Sequence, residues 1–159
     1  MSSEVFDRVV RVSIPHQRVE VIDSGRVIWS APVSTSKFGS GEEPGSFQTP
    51  RGKFSIVEKI GAGEPLGRVF KSRVPTEKIW TEGEISKEDL ILTRILWLHG
   101  EEPANASTHG RYIYFHGTNH EGKIGCPESH GCIRLSNEDI LQLFDLVSVG
   151  SKVEILEHS

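Results

Sequence analysis

The chain has 159 residues, of which 36% are hydrophobic and 25% charged, and this composition is typical of one soluble globular domain, expected over residues 1–159. A formal net charge of −4 without a run of basic residues argues against binding to nucleic acid or to an anionic membrane surface. The apolar runs are too short to span a bilayer, and two cysteines are too few for a disulfide scaffold.

Short stretches rich in β-branched residues predict strands in the first third of the chain. A Ser24-Gly25 turn separates the second stretch from the third, which favours a hairpin. A loop rich in Ser, Gly and Pro covers residues 34–52. The strands predicted in this part are residues 9–14, 18–22, 26–29 and 53–58.

Residues 61–90 contain several Gly and Pro residues and are predicted to be irregular. Because a connection of this length is more often functional than idle, residues 61–89 are a candidate lid or binding loop. Two buried strands are predicted next, at residues 91–98 and 111–115.

One helix is predicted near the C-terminus, with Ser136 or Asn137 as its cap, Asp139 completing a Ser-x-x-Asp start, and Gly150 as its end. A last strand is predicted at residues 152–156. The fold is therefore predicted to be mainly β with one main α-helix. Four apolar residues recur at the spacing of a single helix face and are predicted to be core: Ile140, Leu143, Phe144 and Val147.

A cysteine within Ser-His-Gly-Cys-Ile-Arg at residues 129–134 is the strongest functional signal. Cys132 is the candidate nucleophile, and His116, sixteen residues upstream, is the candidate base and acid. A thiol with the ordinary pKa of about 8.5 is only a few per cent thiolate at neutral pH. We therefore expect an imidazolium at His116 to lower the pKa of Cys132 and later to protonate a leaving amine.

Neighbouring residues are candidates for supporting roles in the same chemistry. No acidic residue stands beside His116 in the sequence, so the carbonyl of Gly117 is the candidate that orients its imidazole. Peptide N–H groups around His130 and Gly131 are candidates for stabilising an oxyanion, and Gly131 allows the turn that this requires.

Ser129 and Arg134 are the candidate substrate-binding residues. Ser129 would support the loop, and Arg134 would hold a substrate carboxylate with its planar guanidinium. Two structural alternatives stay open: Arg134 as an ion-pair partner and His130 as a packing residue. Cys126 is interpreted as an incidental thiol, and the other histidines of this part, His99, His109 and His120, are interpreted as surface or loop residues.

A zinc-binding protein is the alternative from another class. His116, His120, Cys126, His130 and Cys132 offer five side chains of the types that bind zinc within seventeen residues. Their spacing matches no familiar zinc finger or ribbon, and the glycines after His116 and before Cys132 suit close approach of the backbone to a substrate instead. Catalysis without a metal or cofactor is therefore the favoured interpretation.

The residues around His116 and Cys132 form a pattern that resembles the YkuD-type L,D-transpeptidases. The matching segments are Phe-His-Gly-Thr at residues 115–118, Ile-Gly at 124–125 and Ser-His-Gly-Cys-Ile-Arg-Leu at 129–135. Two segments upstream, at residues 31–35 and 49–54, also resemble this family. The resemblance runs from about residue 9 to residue 156.

The resemblance implies a mainly β catalytic domain, with curved sheets or a sandwich and one main α-helix after the cysteine motif. It implies that Cys132 attacks the carbonyl on the L-centre of the third residue of a peptidoglycan stem tetrapeptide, so that terminal D-Ala leaves and a thioester remains. The roles of His116 as base, of the Gly117 carbonyl, and of His130 and Gly131 at the oxyanion are implied likewise, as is acylation by carbapenems.

The resemblance leaves the acyl acceptor open. An amine acceptor gives the cross-link of an L,D-transpeptidase, and water gives the tripeptide of an L,D-carboxypeptidase of murein recycling. Residues 1–7 are acidic and lack the features of a signal peptide, so we expect a cytoplasmic protein, or one in the periplasm or wall if an export segment was removed. The expected partners are stem peptides or muropeptides, with no obligate protein partner, and a non-catalytic wall-binding module would need no reactive thiol.

Overall fold

A computed structural model describes residues 8–158 of the chain. Its strands are β1 (Arg8–Ser13), β2 (Arg18–Asp23), β3 (Arg26–Pro32), β4 (Gly52–Ile60), β5 (Arg68–Lys71), β6 (Val74–Ile79), β7 (Ile91–Gly100), β8 (Tyr114–Gly117), β9 (Ile133–Leu135) and β10 (Lys152–Leu156). Within the described range these ten strands form one sheet in the order β3-β2-β1-β10-β4-β7-β5-β6, while β8 pairs with both β7 and β9. The helices of residues 8–158 are α1 (Asn137–Leu146) and two short 3-10 helices, Pro103–Asn105 and Glu121–Lys123.

Alternating apolar residues produce most of these strands, as the sequence predicts. In β1, Val10 and Val12 are buried on one face, and their neighbours are more exposed. β1 pairs in parallel with β10, and β2 and β3 form the expected antiparallel hairpin. The confirmed strand predictions are those for residues 9–14, 18–22, 26–29, 53–58, 91–98 and 152–156.

The prediction of an irregular chain over residues 61–90 is wrong in its middle. There β5 and β6 form a hairpin, joined at Ser72 and Arg73, whose φ angles are 49° and 66°. Most side chains of β6 are exposed, so its residues lack the apolar alternation that reveals a strand in a sequence. Backbone pairing with β7 instead holds β5, and through it β6, in the sheet.

The strand predicted at residues 111–115 begins later, at Tyr114. Arg111 and Tyr112 belong to a turn, because their N–H groups donate to the carbonyls of Ser107 and His109 at 3.0 Å. Tyr112 has a φ of 58°, which is incompatible with a strand.

Helix α1 has the predicted start and an earlier end. Ser136 is its cap and accepts from the N–H of Asp139 at 3.2 Å. The helix ends at Leu146 rather than near Gly150, since Val147 already has an extended backbone with φ −125° and ψ 166°. Arg8 and Lys59 donate to the carbonyls of Leu146 and Val147 at 2.8 and 2.7 Å. The predicted apolar face is confirmed as core, since all four of its residues are buried in the main cluster: Ile140, Leu143, Phe144 and Val147.

This face of α1 packs against strands β7 and β8 of the sheet. The prediction that residues 1–7 lack an export signal concerns residues outside the described range. Among residues 8–158, no helix combines the length and the apolar character needed to cross a bilayer.

Candidate active site

Strands β8 and β9 bring the two predicted catalytic residues into one neighbourhood. They pair in parallel, with His116 opposite Arg134 and Phe115 opposite Ile133. Cys132 directly precedes β9, and its Sγ accepts the N–H of Tyr114 at 3.3 Å. Because side chains alternate along a strand, His116 and Cys132 lie on the same side of this pair, one strand and two positions apart.

The Cys132 thiol lies in a partly closed, mostly apolar environment. It packs against Phe70, Ile95, Trp97 and Tyr114. Burial raises the pKa of Cys132 to about 12, although the Tyr114 N–H acts in the opposite direction. The sulfur also donates to the carbonyl of Tyr112 at 3.3 Å, which is a contact of the protonated thiol.

The imidazole of His116 is almost completely buried and has one defined partner. Its Nδ1 lies 2.6 Å from the carbonyl oxygen of Gly117, so Nδ1–H donates and Nε2 is left as the basic nitrogen. Burial lowers the pKa of His116, and the nearby Arg134 adds to this, while Asp89 and the Gly117 carbonyl oppose it. His116 is therefore neutral at neutral pH.

These pKa directions correct the expected charge state of the pair. The sequence favours a thiolate beside an imidazolium, but desolvation of both groups favours a thiol beside a neutral imidazole. Burial acts against both charged forms, and the motif alone does not reveal it. In this state Nε2 of His116 has the lone pair that a general base requires.

A buried polar network holds the backbone next to Gly117, whose carbonyl contacts His116. Asn137 donates through Nδ2 to the Thr118 carbonyl at 3.0 Å and accepts from the Thr93 hydroxyl at 2.6 Å. Thr93 lies in a bulge of β7 beside β8, with a φ of 75°. A Cβ at position 117 would lie 2.4 Å from Asn137 Oδ1, so close packing explains the glycine.

The loop before Cys132 has its own internal support. The Ser129 hydroxyl accepts from the Gly131 N–H at 3.2 Å and donates to the Cys132 carbonyl at 2.7 Å. Ser129 is buried, so it contacts the loop rather than solvent. Gly131 has a φ of 125°, a conformation that side chains other than glycine rarely adopt. Thr49 holds the loop from outside by donating to the Gly131 carbonyl at 3.0 Å.

Arg134 and His130 share an acidic partner that the sequence motifs do not contain. Asp89 Oδ2 lies 2.7 Å from Arg134 Nη2 and 3.6 Å from His130 Nδ1. Arg134 is only 2% exposed, whereas His130 is exposed and its ring is about 6 Å from those of Phe38 and Phe47. Asp89 precedes His116 by 27 residues in a segment without a motif, so only the fold reveals its position.

The candidate lid, residues 61–89, borders the site through Phe70, which is in the apolar cluster next to Cys132, and through two charged residues. One is Asp89, which forms the ion pair with Arg134. The other is Arg73 at the tip of the β5–β6 hairpin, which donates to the Tyr114 hydroxyl at 3.0 Å and stacks over Trp97, with 4.8 Å to the ring centre. The segment thus borders Cys132 from its apolar side.

The ligand set required by the zinc alternative is missing from the part of the chain that the structure describes. There, no three His, Cys, Asp or Glu side chains are arranged to hold a metal ion. Cys126 is exposed and free, and its carbonyl accepts from the Ser34 hydroxyl at 2.6 Å. His109, interpreted as a surface residue, is exposed but stacks on Trp97 at 4.1 Å.

The fold is a mainly β domain in which a histidine on β8 and a cysteine directly before β9 lie on one side of a parallel strand pair. The sequence profile of the YkuD family, described as the L,D-transpeptidase catalytic domain, matches residues 7–155. The chain belongs to this family.

Individual relatives agree with the family assignment. The probable L,D-transpeptidase ErfK/SrfK of Salmonella typhimurium is 38% identical over 112 residues, which cover 69% of this chain and 33% of that protein. The putative L,D-transpeptidase YkuD of Bacillus subtilis is 45% identical over 147 residues, or 92% of this chain and 64% of that protein. The chain thus spans between a third and two thirds of these relatives.

Solved structures share the fold. An L,D-transpeptidase from Mycobacterium smegmatis superposes with a TM-score of 0.61 at 21% identity, covering 94% of this chain and 58% of that one. L,D-transpeptidase LdtMt1 in complex with imipenem superposes with a TM-score of 0.59 at 23% identity, covering 94% and 59%. The mainly β fold with one main helix is therefore the fold of known L,D-transpeptidases.

Proposed function

We propose that this protein is a cysteine acyl-transfer enzyme that acts on peptidoglycan stem tetrapeptides. The observation that carries the proposal is the placement of Cys132 and His116 on one side of the β8–β9 pair, with the imidazole oriented by the Gly117 carbonyl at 2.6 Å. The family supports the choice of substrate, because the relatives that match the chain are named L,D-transpeptidases.

The first half-reaction acylates the enzyme. Sγ of Cys132 attacks the carbonyl carbon on the L-centre of the third residue, while Nε2 of His116 takes the thiol proton. A tetrahedral oxyanion forms and collapses to a thioester as the C–N bond breaks. The imidazolium gives its proton to the departing amine of D-Ala, so His116 returns to its neutral form.

The neutral starting pair suits this mechanism. A thiol with a pKa of about 12 is stable until a carbonyl is in place, since its proton leaves only during the attack. We assign stabilisation of the oxyanion to peptide N–H groups of the turn at His130 and Gly131. The φ of Gly131 allows the peptide plane there to face the substrate. In the free state the Gly131 N–H donates to Ser129, so it must exchange this partner to serve there.

The second half-reaction transfers the acyl group to an acceptor. His116 removes a proton from an incoming amine, and the amine nitrogen attacks the thioester carbonyl so that the C–S bond breaks and a cross-link forms. The imidazolium returns its proton to the departing thiolate, which restores the Cys132 thiol and the neutral imidazole. Water in place of the amine gives the tripeptide of an L,D-carboxypeptidase through the same residues. The amine is the proposed acceptor, because the matching relatives are named transpeptidases.

The test is incubation with a defined disaccharide tetrapeptide, followed by mass analysis of the products. Cross-linked dimer with released D-Ala is the expected result, and tripeptide alone would assign the carboxypeptidase reaction instead. Cys132→Ala should abolish D-Ala release. Cys126→Ala, which removes the exposed second thiol, is the matched control and should leave the rate unchanged. D-Ala release that persists in Cys132→Ala would refute the proposed nucleophile.

A further inference from the structure

Two opposite charges lie beside the proposed catalytic pair, and neither belongs to the reacting atoms. Arg134 is opposite His116 in the β8–β9 register, and Asp89 reaches it from the loop before β7 at 2.7 Å. The same carboxylate lies 3.6 Å from Nδ1 of His130, next to the loop that carries Cys132. Asp89 therefore joins the candidate lid, β9 and the cysteine loop.

The guanidinium of Arg134 is an unusual neighbour for a catalytic histidine. It is 2% exposed, and its Nε–H has no hydrogen-bond partner among the described residues. A buried cation at this position stabilises a thiolate at Cys132 but opposes protonation of His116. Within residues 8–158, Asp89 is the only acidic side chain in an ion pair with Arg134.

The effect of Arg134 on His116 matters during proton transfer. When His116 accepts the thiol proton, a second positive charge appears beside Arg134 inside the protein. A carboxylate that already pairs with Arg134 offsets this charge without any rearrangement, which is the arrangement that lowers a barrier most effectively. In this pair Asp89 favours the imidazolium of His116, and Arg134 favours the thiolate of Cys132.

We propose that Asp89 is a positioning residue of the acyl-transfer reaction: it fixes Arg134 and His130 and supplies the counter-charge for the imidazolium that forms at His116. The inference rests on the proposed function and extends it to a residue outside both sequence motifs. Asp89 does not contact the substrate in this role. It acts through the two side chains that it holds.

The charged groups facing the site agree with this assignment. His116 is faced by Asp89, Arg134 and the Gly117 carbonyl, and Cys132 by Asp89, Arg134, Arg111 and the Tyr114 N–H. Burial acts to raise the pKa of Asp89, but His116, Arg134 and His130 together lower it below its ordinary value. Asp89 is therefore ionised wherever the enzyme would work.

The experiment compares Asp89→Asn with Glu88→Gln, which removes the same charge from the exposed neighbouring residue. D-Ala release from the tetrapeptide is measured between about pH 4 and 9, because burial lowers the pKa of His116 below that of an ordinary histidine, which titrates near neutral pH. Without Asp89 the imidazolium loses its counter-charge. We expect kcat of Asp89→Asn to fall at least tenfold with a smaller change in KM. The acid limb of the pH–rate profile, where activity is lost as His116 becomes protonated, should move to lower pH because the imidazolium is less stable. Glu88→Gln should match the wild type.

Asp89→Glu is the second variant and keeps the test valid if Asp89→Asn does not fold. Glutamate retains the charge on a longer side chain, so the acid limb should stay at the wild-type position while kcat decreases. Equal kcat values for Asp89→Glu and the wild type would show that the position of the carboxylate does not matter, and would overturn the inference.

The failures of the two proposals are distinguishable. Wild-type protein that releases no D-Ala overturns the proposed function, and this inference with it. Wild-type turnover with coincident pH profiles for Asp89→Asn and Glu88→Gln overturns the inference alone. A uniform loss of activity without a shifted acid limb would assign Asp89 a merely structural role, which also contradicts the proposal.

Discussion

Replacement of Gly117 by alanine tests how the fold positions His116, the proposed catalytic histidine. The added Cβ would lie 2.4 Å from Asn137 Oδ1, 2.8 Å from the Leu92 carbonyl and 3.2 Å from Ile140 Cγ2. The Leu92 carbonyl belongs to the backbone of β7 and the Asn137 side chain to a buried network, so neither can simply rotate away. The end of β8 must therefore move, and the carbonyl that holds His116 Nδ1 moves with it.

The magnitude follows from these contacts. Overpacking of this kind typically costs about 1–3 kcal/mol of unfolding free energy. A displacement of the catalytic group by about 1 Å typically costs on the order of 100-fold in rate. We therefore expect Gly117→Ala to fold with reduced stability and to lose far more activity than stability.

The assay combines urea denaturation with the rate of acylation by imipenem, followed by intact mass. Gly122→Ala is the matched control, because a Cβ added at Gly122 would meet no atom within 4 Å and the residue has no left-handed φ. Its stability and acylation rate should equal those of the wild type. Wild-type stability and acylation in Gly117→Ala would refute the argument that close packing at this glycine sets the orientation of the imidazole.

Three further predictions concern the thiol, the ion pair and the core. In Cys126→Ala protein, alkylation of Cys132 by iodoacetamide should still accelerate with pH between about 8 and 10, because its pKa of about 12 lies above that range; a plateau within it would contradict the assignment of a buried, neutral thiol. The folded-state pKa of Asp89 lies below its unfolded value, so its stabilising contribution is present above the unfolded pKa and is lost as the pH falls through the folded one. Urea titrations at neutral and acid pH should therefore show a smaller acid-induced loss in Asp89→Asn than in the wild type, and equal losses would contradict the ion pair. Leu143→Ala should reduce the unfolding free energy by about 2–5 kcal/mol, since Leu143 is fully buried in the main core, whereas a loss below about 1 kcal/mol would mean that α1 does not pack as described.

The parts of the fold that can be predicted are those in which one face of an element is buried. β1 and α1 have that property, and their apolar residues recur at the periods of a strand and a helix. The β5–β6 hairpin lacks it, because β6 is mostly exposed and is held by backbone pairing that no side-chain pattern records. The end of α1 escapes prediction for a related reason, since Arg8 and Lys59, which satisfy its last carbonyls, are distant in the sequence.

The residues of the candidate site likewise include some that a sequence motif indicates and some that only the fold reveals. Cys132 and His116 lie in short motifs whose residue types suit nucleophile and base, so both can be proposed without the fold. Asp89 lies in a segment without a motif, and Asn137 is recognisable in the sequence only as a candidate helix cap, although it fixes the backbone beside Gly117. Burial of the thiol and imidazole, which decides their charge state, is a property of the packed structure and not of the motif.

The most direct measurement of the central claim is mapping of the covalent adduct that forms when the protein is incubated with imipenem. Peptide mass spectrometry should place one drug equivalent on Cys132, the adduct should be absent from Cys132→Ala, and its formation should slow strongly in His116→Ala. An adduct on Cys126, or equal rates of formation with and without His116, would contradict a sulfur nucleophile served by the neighbouring imidazole.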